Sequence, residues 1–556
     1  MKDFFKNNGI VNSIVDWSIE NKLLIILWII CIFALFIFTG HYSNIFLDVG
    51  REVYYPERIL EGKVLYKDLF NIYGPFAYQW NALLYAIFGK KLSTLYLSGG
   101  ICSIGIVSAV YLIAKKFFTP ILAFAFGCLT IATGICAPHL FNFTFPYSQA
   151  MLIGTLCALF ALFFVLEFSE SKNSKYLYIS ALLAGLAVSC KYDFFIFAVF
   201  LFVVACFSKN IKYILNFITC FAIIPLISFG ILFLQGLTFV HLIDTANVLS
   251  RMAKSNTLNY FYSSQGVFFN KQMLKLWPIS ALKTLLFFGG TLGGIFLFNK
   301  NKICGWIVTS IFAILTVIFT TPANFVFVLP LLLLASLFSY KKFKLNPQLL
   351  ILVLGTLTLS VKSFLSLTPM NYGNYCFSIS LIAIFAVFYS YISEKYQKAG
   401  TIFLIATAIC FFGMFSYNRM NLNMKISVPK GTIYTNYEDG NAVLELLGYL
   451  KYKKVKDVVI YPEGLLLNFL SDTKSDDYFN SLIPLYEEVF GDERFIDYFA
   501  QKRPEYFVLA NLNMKDYYYE LIAVDYAIPF CKFLAAMYDP IEGIDYGRRF
   551  LIFKRN

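Results

Sequence analysis

The chain of 556 residues is 59% hydrophobic and 14% charged, against about 25% charged in an ordinary soluble domain, and its mean hydropathy is +0.67. That composition excludes a soluble globular protein and marks a polytopic membrane protein. A net charge of +13 would suit a nucleic-acid partner, but the Lys and Arg residues sit in short clusters between apolar runs, so they report topology and no nucleic acid is expected.

A helix needs about 20 apolar residues to cross a bilayer, and that template fits about thirteen segments: 23–40, 93–113, 118–135, 148–167, 176–190, 194–207, 213–234, 279–298, 303–320, 324–339, 347–366, 375–392 and 400–416. The first, LLIILWIICIFALFIFTG, is longer than a signal-peptide core and lacks a small-residue cleavage pattern, so a retained helix is expected. Its basic flank, Lys2, Lys6 and Lys22, places the N-terminus in the cytoplasm. Clusters at Lys115 and Lys116, Lys172 and Lys175, Lys209 and Lys212, Lys300 and Lys302, YKKFK at 340–344, and Lys395 and Lys398 recur after every second crossing. All then fall on the cytoplasmic side, and the number of helices is odd. Between 176 and 207 two short runs flank Lys191, Tyr192 and Asp193; treating them as two helices keeps the pattern and sets Lys191 near the outer face. The twelve Cys are scattered singly, without zinc-ligand spacing, and suit small core hydrophobes.

The outer side then carries residues 41–92, 136–148, 235–278, 321–325 and 363–376. After residue 416 the chain turns polar: DVVIY, EYFVLA and RRFLIFK have strand character, with helix-like stretches between. The expected fold is an α-helical polytopic membrane domain over 1–416, followed by a small extracytoplasmic α/β domain over 417–556.

The first outer loop is the densest in charge. Its stretch LDVGREVYYPERILEGKVLYKDLFNIYGP, residues 47–75, places Asp48, Arg51, Glu52 and Tyr55 at i, i+3, i+4 and i+7. A short helix lying on the membrane surface would put all four on one face, with Pro56 ending or bending it. A carboxylate there can act as general base for a hydroxyl nucleophile, while guanidinium and ammonium groups stabilise a departing phosphate; Asp48 with Arg51 and Lys191 fits that division. Lys67, Asp68 and Tyr73 in the same loop, and His139 and Tyr147 in the next, are further candidates for phosphate or sugar contacts. The plainer readings are that charges and tyrosines flank helices at any interface, that His139 is structural, that Lys191 and Asp193 pair with each other and that Lys362 snorkels. The 235–278 segment, with His241, Asp244, Arg251 and Lys254, suits a lid or surface helix, or a connector.

On LDVGRE, on GKVLYKDLFNIYGPFAYQWNALLYAIFG at 62–89, FNFTFPYS at 141–148, CKYD at 190–193, and YPEGLLLNFLS and RPEYFVLAN in the tail, the chain resembles the class C (GT-C) membrane glycosyltransferases. The resemblance is to the bacterial relatives of protein O-mannosyltransferases and of the lipid A aminoarabinose transferases. It implies a multi-pass enzyme of the bacterial inner membrane with its C-terminal domain outside. It also implies inverting transfer from a polyprenyl-phosphate-linked sugar to a hydroxyl of a lipid, glycan or protein. Asp48 falls where such enzymes carry an essential acidic residue. The family's frequent Asp-Glu pair is Asp48-Val49 here, which leaves Glu52 or Asp68 as the second carboxylate. The resemblance names no cofactor, no metal ligand is assigned, and a divalent cation stays open. A transporter or flippase of lipid-linked saccharide would instead place charges within helices at mid-membrane and break helices in symmetric positions. An O-antigen ligase or polymerase would carry its large loop between late helices.

Overall fold

The structure is a computed structural model that describes residues 21–265, 271–322, 329–364, 371–541 and 549–556, with the backbone alone for 271–274. The basic flank at Lys2 and Lys6 lies outside the described residues, as do parts of the segments 235–278, 321–325, 324–339 and 363–376. Among the described residues six helices are long and apolar enough to cross a membrane by length and composition: Leu92–Lys115, Gln149–Ser171, Ile211–Leu234, Lys275–Phe298, Lys302–Phe319 and Glu394–Met420. Other expected spans coincide with shorter apolar helices, Lys22–Phe38, Pro120–Ile135, Ser174–Cys190, Tyr192–Phe207, Pro347–Leu359 and Gly373–Tyr389.

These helices share one apolar core that includes Leu27, Cys31, Leu122, Leu152, Leu352, Ile382 and Phe403. Ile211–Leu234, Lys275–Phe298 and Lys302–Phe319 lie at its edge, each with 17% of its most apolar stretch buried. Leu226, Leu234, Leu282 and Ile303 face outward from them. Apolar surface on this scale is stable against lipid rather than water, so the chain is a multi-pass membrane protein.

Beyond the helix Gln397–Met420 the chain forms an antiparallel hairpin, β1 (Met424–Val428) and β2 (Gly431–Thr435), and then a four-stranded sheet. The sheet comprises β3 (Val458–Tyr461), β4 (Tyr506–Ala510), β5 (Tyr538–Ile541) and β6 (Phe550–Arg555), in the order β3-β4-β6-β5. Only β3 and β4 are parallel, and every residue of both is buried, which explains why they stand out as continuous apolar runs. The hairpin and β5 had no such signal: β5 is short, carries Pro540 and sits at the sheet edge, where proline is tolerated.

The C-terminal region is bound to the first loop. Tyr42 N–H donates to Tyr434 O at 3.0 Å and the Tyr434 ring stacks on His41 at 4.4 Å. The helix Val49–Leu60 is not a surface helix: Val49 to Arg58 are buried except for the half-buried Arg51, because the helix Leu465–Ser471 of the C-terminal region packs over it. Gly50 permits that approach, since a Cβ there would lie 2.6 Å from Leu466 N. Nor does Pro56 end the helix, which continues to Leu60. Burial demands partners for the helix's charges. Arg58 makes a two-pronged bond to Asp477 at 2.7 and 2.8 Å, and Lys430 reaches Glu57 at 2.9 Å and Asp472 at 2.8 Å.

A second seam joins this loop to the break between two helices. Gly74 N–H donates to Cys190 O at 3.0 Å, and a Cβ on Gly74 would stand 2.1 Å from Ser189 O. Tyr73 is thereby laid beside Lys191. Gly74→Ala is expected to cost about 1–3 kcal/mol through overpacking, seen as a lower thermal unfolding midpoint in detergent; an unchanged midpoint would show that the seam is loosely packed.

Candidate active site between the first loop and the C-terminal region

Asp48 does not belong to the helix face expected of it. It precedes the first helical residue with φ 67° and ψ −41°, at the centre of a three-residue turn closed by Val49 N–H on Leu47 O at 2.7 Å. This hand of turn is rare and strained for a residue with a Cβ. Asp48 Oδ1 accepts from Arg51 Nη2 at 2.8 Å, and Asp48 N–H donates to Glu463 Oε2 at 2.5 Å. The cavity they share is lined by Phe46, Gly50 and Arg51 from the first loop and by Leu465, Asn480 and Ser481 from the C-terminal region. Burial raises the Asp48 carboxyl above the usual range, opposed by the charges of Arg51 and Lys191.

Glu52 lies close by but does not line that cavity. It is fully buried, accepting from Gln149 N–H at 3.1 Å, at the start of the helix Gln149–Ser171, and from Tyr78 OH at 3.3 Å. Burial pushes its carboxyl up to about 7, with Arg51 pulling the other way. Tyr55 is a cross-link: its hydroxyl donates to Phe70 O at 2.6 Å and accepts from Asn480 Nδ2 at 3.1 Å.

Lys191 caps the end of the helix Ser174–Cys190 and projects into a cage of tyrosines. Its Nζ lies 4.7 Å from the ring centroid of Tyr73, 4.8 Å from Tyr372 and 5.4 Å from Tyr147. Among the described residues Nζ has no hydrogen-bond partner, and its contact with Asp193 Oδ2 is a loose 3.7 Å. Burial pushes its amine down to about 8. The cage is held by hydroxyls, Tyr73 to Tyr147 at 2.7 Å and Tyr147 to Tyr372. Arg51 rests against the same Tyr73 ring at 5.5 Å, which links the cage to Asp48. Asp48, Arg51, Glu52, Tyr73, Tyr147 and Lys191 are thus gathered in one region.

Lys67, Asp68 and His139 are not brought there. Lys67 is exposed, and Asp68 Oδ2 accepts from Val64 N–H at 2.9 Å, closing its own turn. His139 Nδ1 accepts from Phe141 N–H at 3.1 Å and its ring meets the Phe415 edge; burial pushes it down to about 3, so it is a neutral anchor for its loop. Four residues that the sequence reading did not assign to the site join it. Lys362, rather than snorkelling, lies 3.8 Å from Asp193 Oδ1 and over Tyr372 at 4.9 Å. Tyr372 completes the cage, Tyr486 stands beside Arg51, and Glu463 meets Asp48. The signal for Glu463 was its place at the carboxyl end of β3, where α/β sheets set their functional groups. Among the described residues no group of three or more His, Cys, Asp or Glu side chains is gathered as a metal-binding set.

Glu52 generates a prediction about stability. Below its unfolded value of 4.5 the carboxyl is protonated in both states; as pH rises towards about 7 only the unfolded chain releases the proton, and stability falls. The loss approaches about 3 kcal/mol. Glu52→Gln lacks it, so its midpoint relative to wild type should rise between pH 4.5 and about 7 and then level off. A gap that does not change with pH would show that Glu52 ionises freely.

No curated protein matches the chain in sequence. Residues 74–229 match the family described as dolichyl-phosphate-mannose-protein mannosyltransferase. Among solved structures, the archaeal oligosaccharyltransferase AglB from Archaeoglobus fulgidus, in complex with an inhibitory peptide and a dolichol-phosphate, is 12% identical with a TM-score of 0.44, covering 90% of this chain and 70% of that one. ArnT from Cupriavidus metallidurans in the apo state is 10% identical with a TM-score of 0.41, covering 97% and 98%. The same protein bound to undecaprenyl phosphate is 11% identical with a TM-score of 0.42, covering 96% and 98%. The family match runs over the stretch that carries Tyr147 and Lys191.

Proposed function

We propose that the chain transfers a sugar from a polyprenyl-phosphate-linked donor to a hydroxyl of a lipid, glycan or protein, with inversion at the anomeric carbon and Asp48 as general base. The observation that carries this reading is a half-buried carboxylate, Asp48, flanked by two cations, the half-buried Arg51 and the buried Lys191, that rest against one tyrosine ring. The name of the matching family, with its dolichyl-phosphate donor, supports the same donor class.

In this reaction the acceptor oxygen forms a bond to the anomeric carbon as the bond from that carbon to the phosphate oxygen breaks. The electron pair leaves with the polyprenyl phosphate, and the acceptor proton passes to an Asp48 oxygen. Lys191, held by π-faces and free of hydrogen bonds, supplies positive charge to the departing phosphate, and Arg51 both orients Asp48 and adds to that field. The acceptor reaches the site from the outer face of a bacterial inner membrane, beneath the C-terminal region.

The test is transfer of radiolabelled sugar from polyprenyl-phosphate donors by the purified full chain in nanodiscs. Asp48→Asn is expected to lower turnover by about 10²–10⁴-fold with donor binding retained, and Lys191→Met to weaken donor binding. Wild-type turnover by Asp48→Asn, or a wild type that transfers from no polyprenyl-phosphate sugar, would overturn the reading.

A further inference from the structure

We propose that Glu463, contributed by the C-terminal region, is a positioning residue for Asp48, holding its backbone in the strained turn and setting a second carboxyl in the same cavity. The proposal rests on Asp48 as the base and adds what makes it one. Asp48 has the backbone of a glycine without being one, and a residue in that conformation persists only where its surroundings hold it. The hold is the bond from its N–H to Glu463 Oε2 at 2.5 Å, made across 415 residues of chain. Glu463 is itself tied by Ser481 Oγ, which donates to Oε1 at 3.3 Å, and is carried to the cavity by the close approach of Leu465 and Leu466 to Gly50.

The arrangement brings two carboxyls to one buried cavity. Facing them are Arg51, Tyr73 and Lys191 from the membrane domain, and Tyr486, Tyr517 and Tyr526 from the C-terminal region. Of these, only Arg51 makes a charged bond to the pair, and it goes to Asp48. Burial, then the charge of Asp48, pushes Glu463 up to about 7. Two like charges so placed ionise in separate steps that belong to the pair. The proton retained through the first step stays on Glu463, leaving Asp48 ionised against Arg51 and able to accept a proton from a hydroxyl. Docking of the C-terminal region thus completes the site, because without Glu463 the Asp48 turn loses its anchor.

The experiment is the pH profile of kcat/KM for the full chain in nanodiscs, wild type against Glu463→Gln. The neutral amide keeps an acceptor for Asp48 N–H and matches the protonated acid, so the limb set by Asp48 should stay while the step near pH 7 set by Glu463 disappears. A lower rate with that step still present would reduce Glu463 to a structural role and overturn the proposal. Thermal midpoints against pH read the same pair without turnover. Glu463→Gln should remove the pair's share of the fall in stability towards pH 7, leaving the share of Glu52, and Asp48→Asn should remove the part that its charge adds; the double variant should add little to Glu463→Gln, and additive effects would overturn the coupling. Should Glu463→Gln not fold, Ser481→Ala serves instead. It removes a donor to the ionised carboxyl, so the fall should move to higher pH, and an unmoved fall would count against the proposal. A wild type inactive on every donor would overturn the transferase reading alone, since the stability cycle still decides the pair.

Discussion

Arg51, Glu52, Glu57 and Arg58 lie on a single helix of 12 residues, and all except Arg51 are buried. Charges in that state are tolerable only when each has a partner, and two of the partners come from far along the chain: Lys430 for Glu57, and Asp477 for Arg58. The membrane domain and the C-terminal region are therefore not two bodies in casual contact. The same docking that satisfies these charges lays the helix Leu465–Ser471 on Gly50 and brings Glu463 to Asp48. Site assembly and the seating of the C-terminal region are one event, driven by the need to pair buried charge.

Within the site the cations are handled differently. Lys191 is surrounded by tyrosine faces, which stabilise an ammonium through their quadrupoles without cancelling its charge. A carboxylate in the same place would hold it more firmly and leave less field for an incoming anion. Asp193, at 3.7 Å and shared with Lys362, is too loose to play that part. The cage thus keeps positive charge uncancelled in a buried place, where electrostatic interactions are strong.

The lipid-facing helices and the site obey opposite rules. Ile211–Leu234, Lys275–Phe298 and Lys302–Phe319 are apolar nearly all round and contribute area to the bilayer. The shorter helices are where polar groups concentrate: Ser174–Cys190 stops at Lys191, leaving the break that Gly74 fills and that sets Tyr73 against the cation. Irregular backbone at such a point is sustained because the chain itself covers it.

The amino-acid sequence alone determined the membrane class, the approximate positions of the helices, the strands β3, β4 and β6, and the concentration of charge after the first helix. Apolar length and charge content are local properties that survive without knowledge of contacts. It also singled out Asp48, Arg51, Tyr73, Tyr147 and Lys191, because charged and aromatic groups beside apolar runs are conspicuous. It misplaced Lys67, Asp68 and His139, whose partners are neighbours in their own loops, and it took the helix Val49–Leu60 for a surface helix because its cover lies some 400 residues away. That Glu463 lines the same cavity as Asp48, while Glu52 and Asp68 do not, is a property of the tertiary structure alone. Glu463 follows the strand-like DVVIY, but its bond to Asp48 exists only because the tertiary structure sets the end of β3 against the first loop.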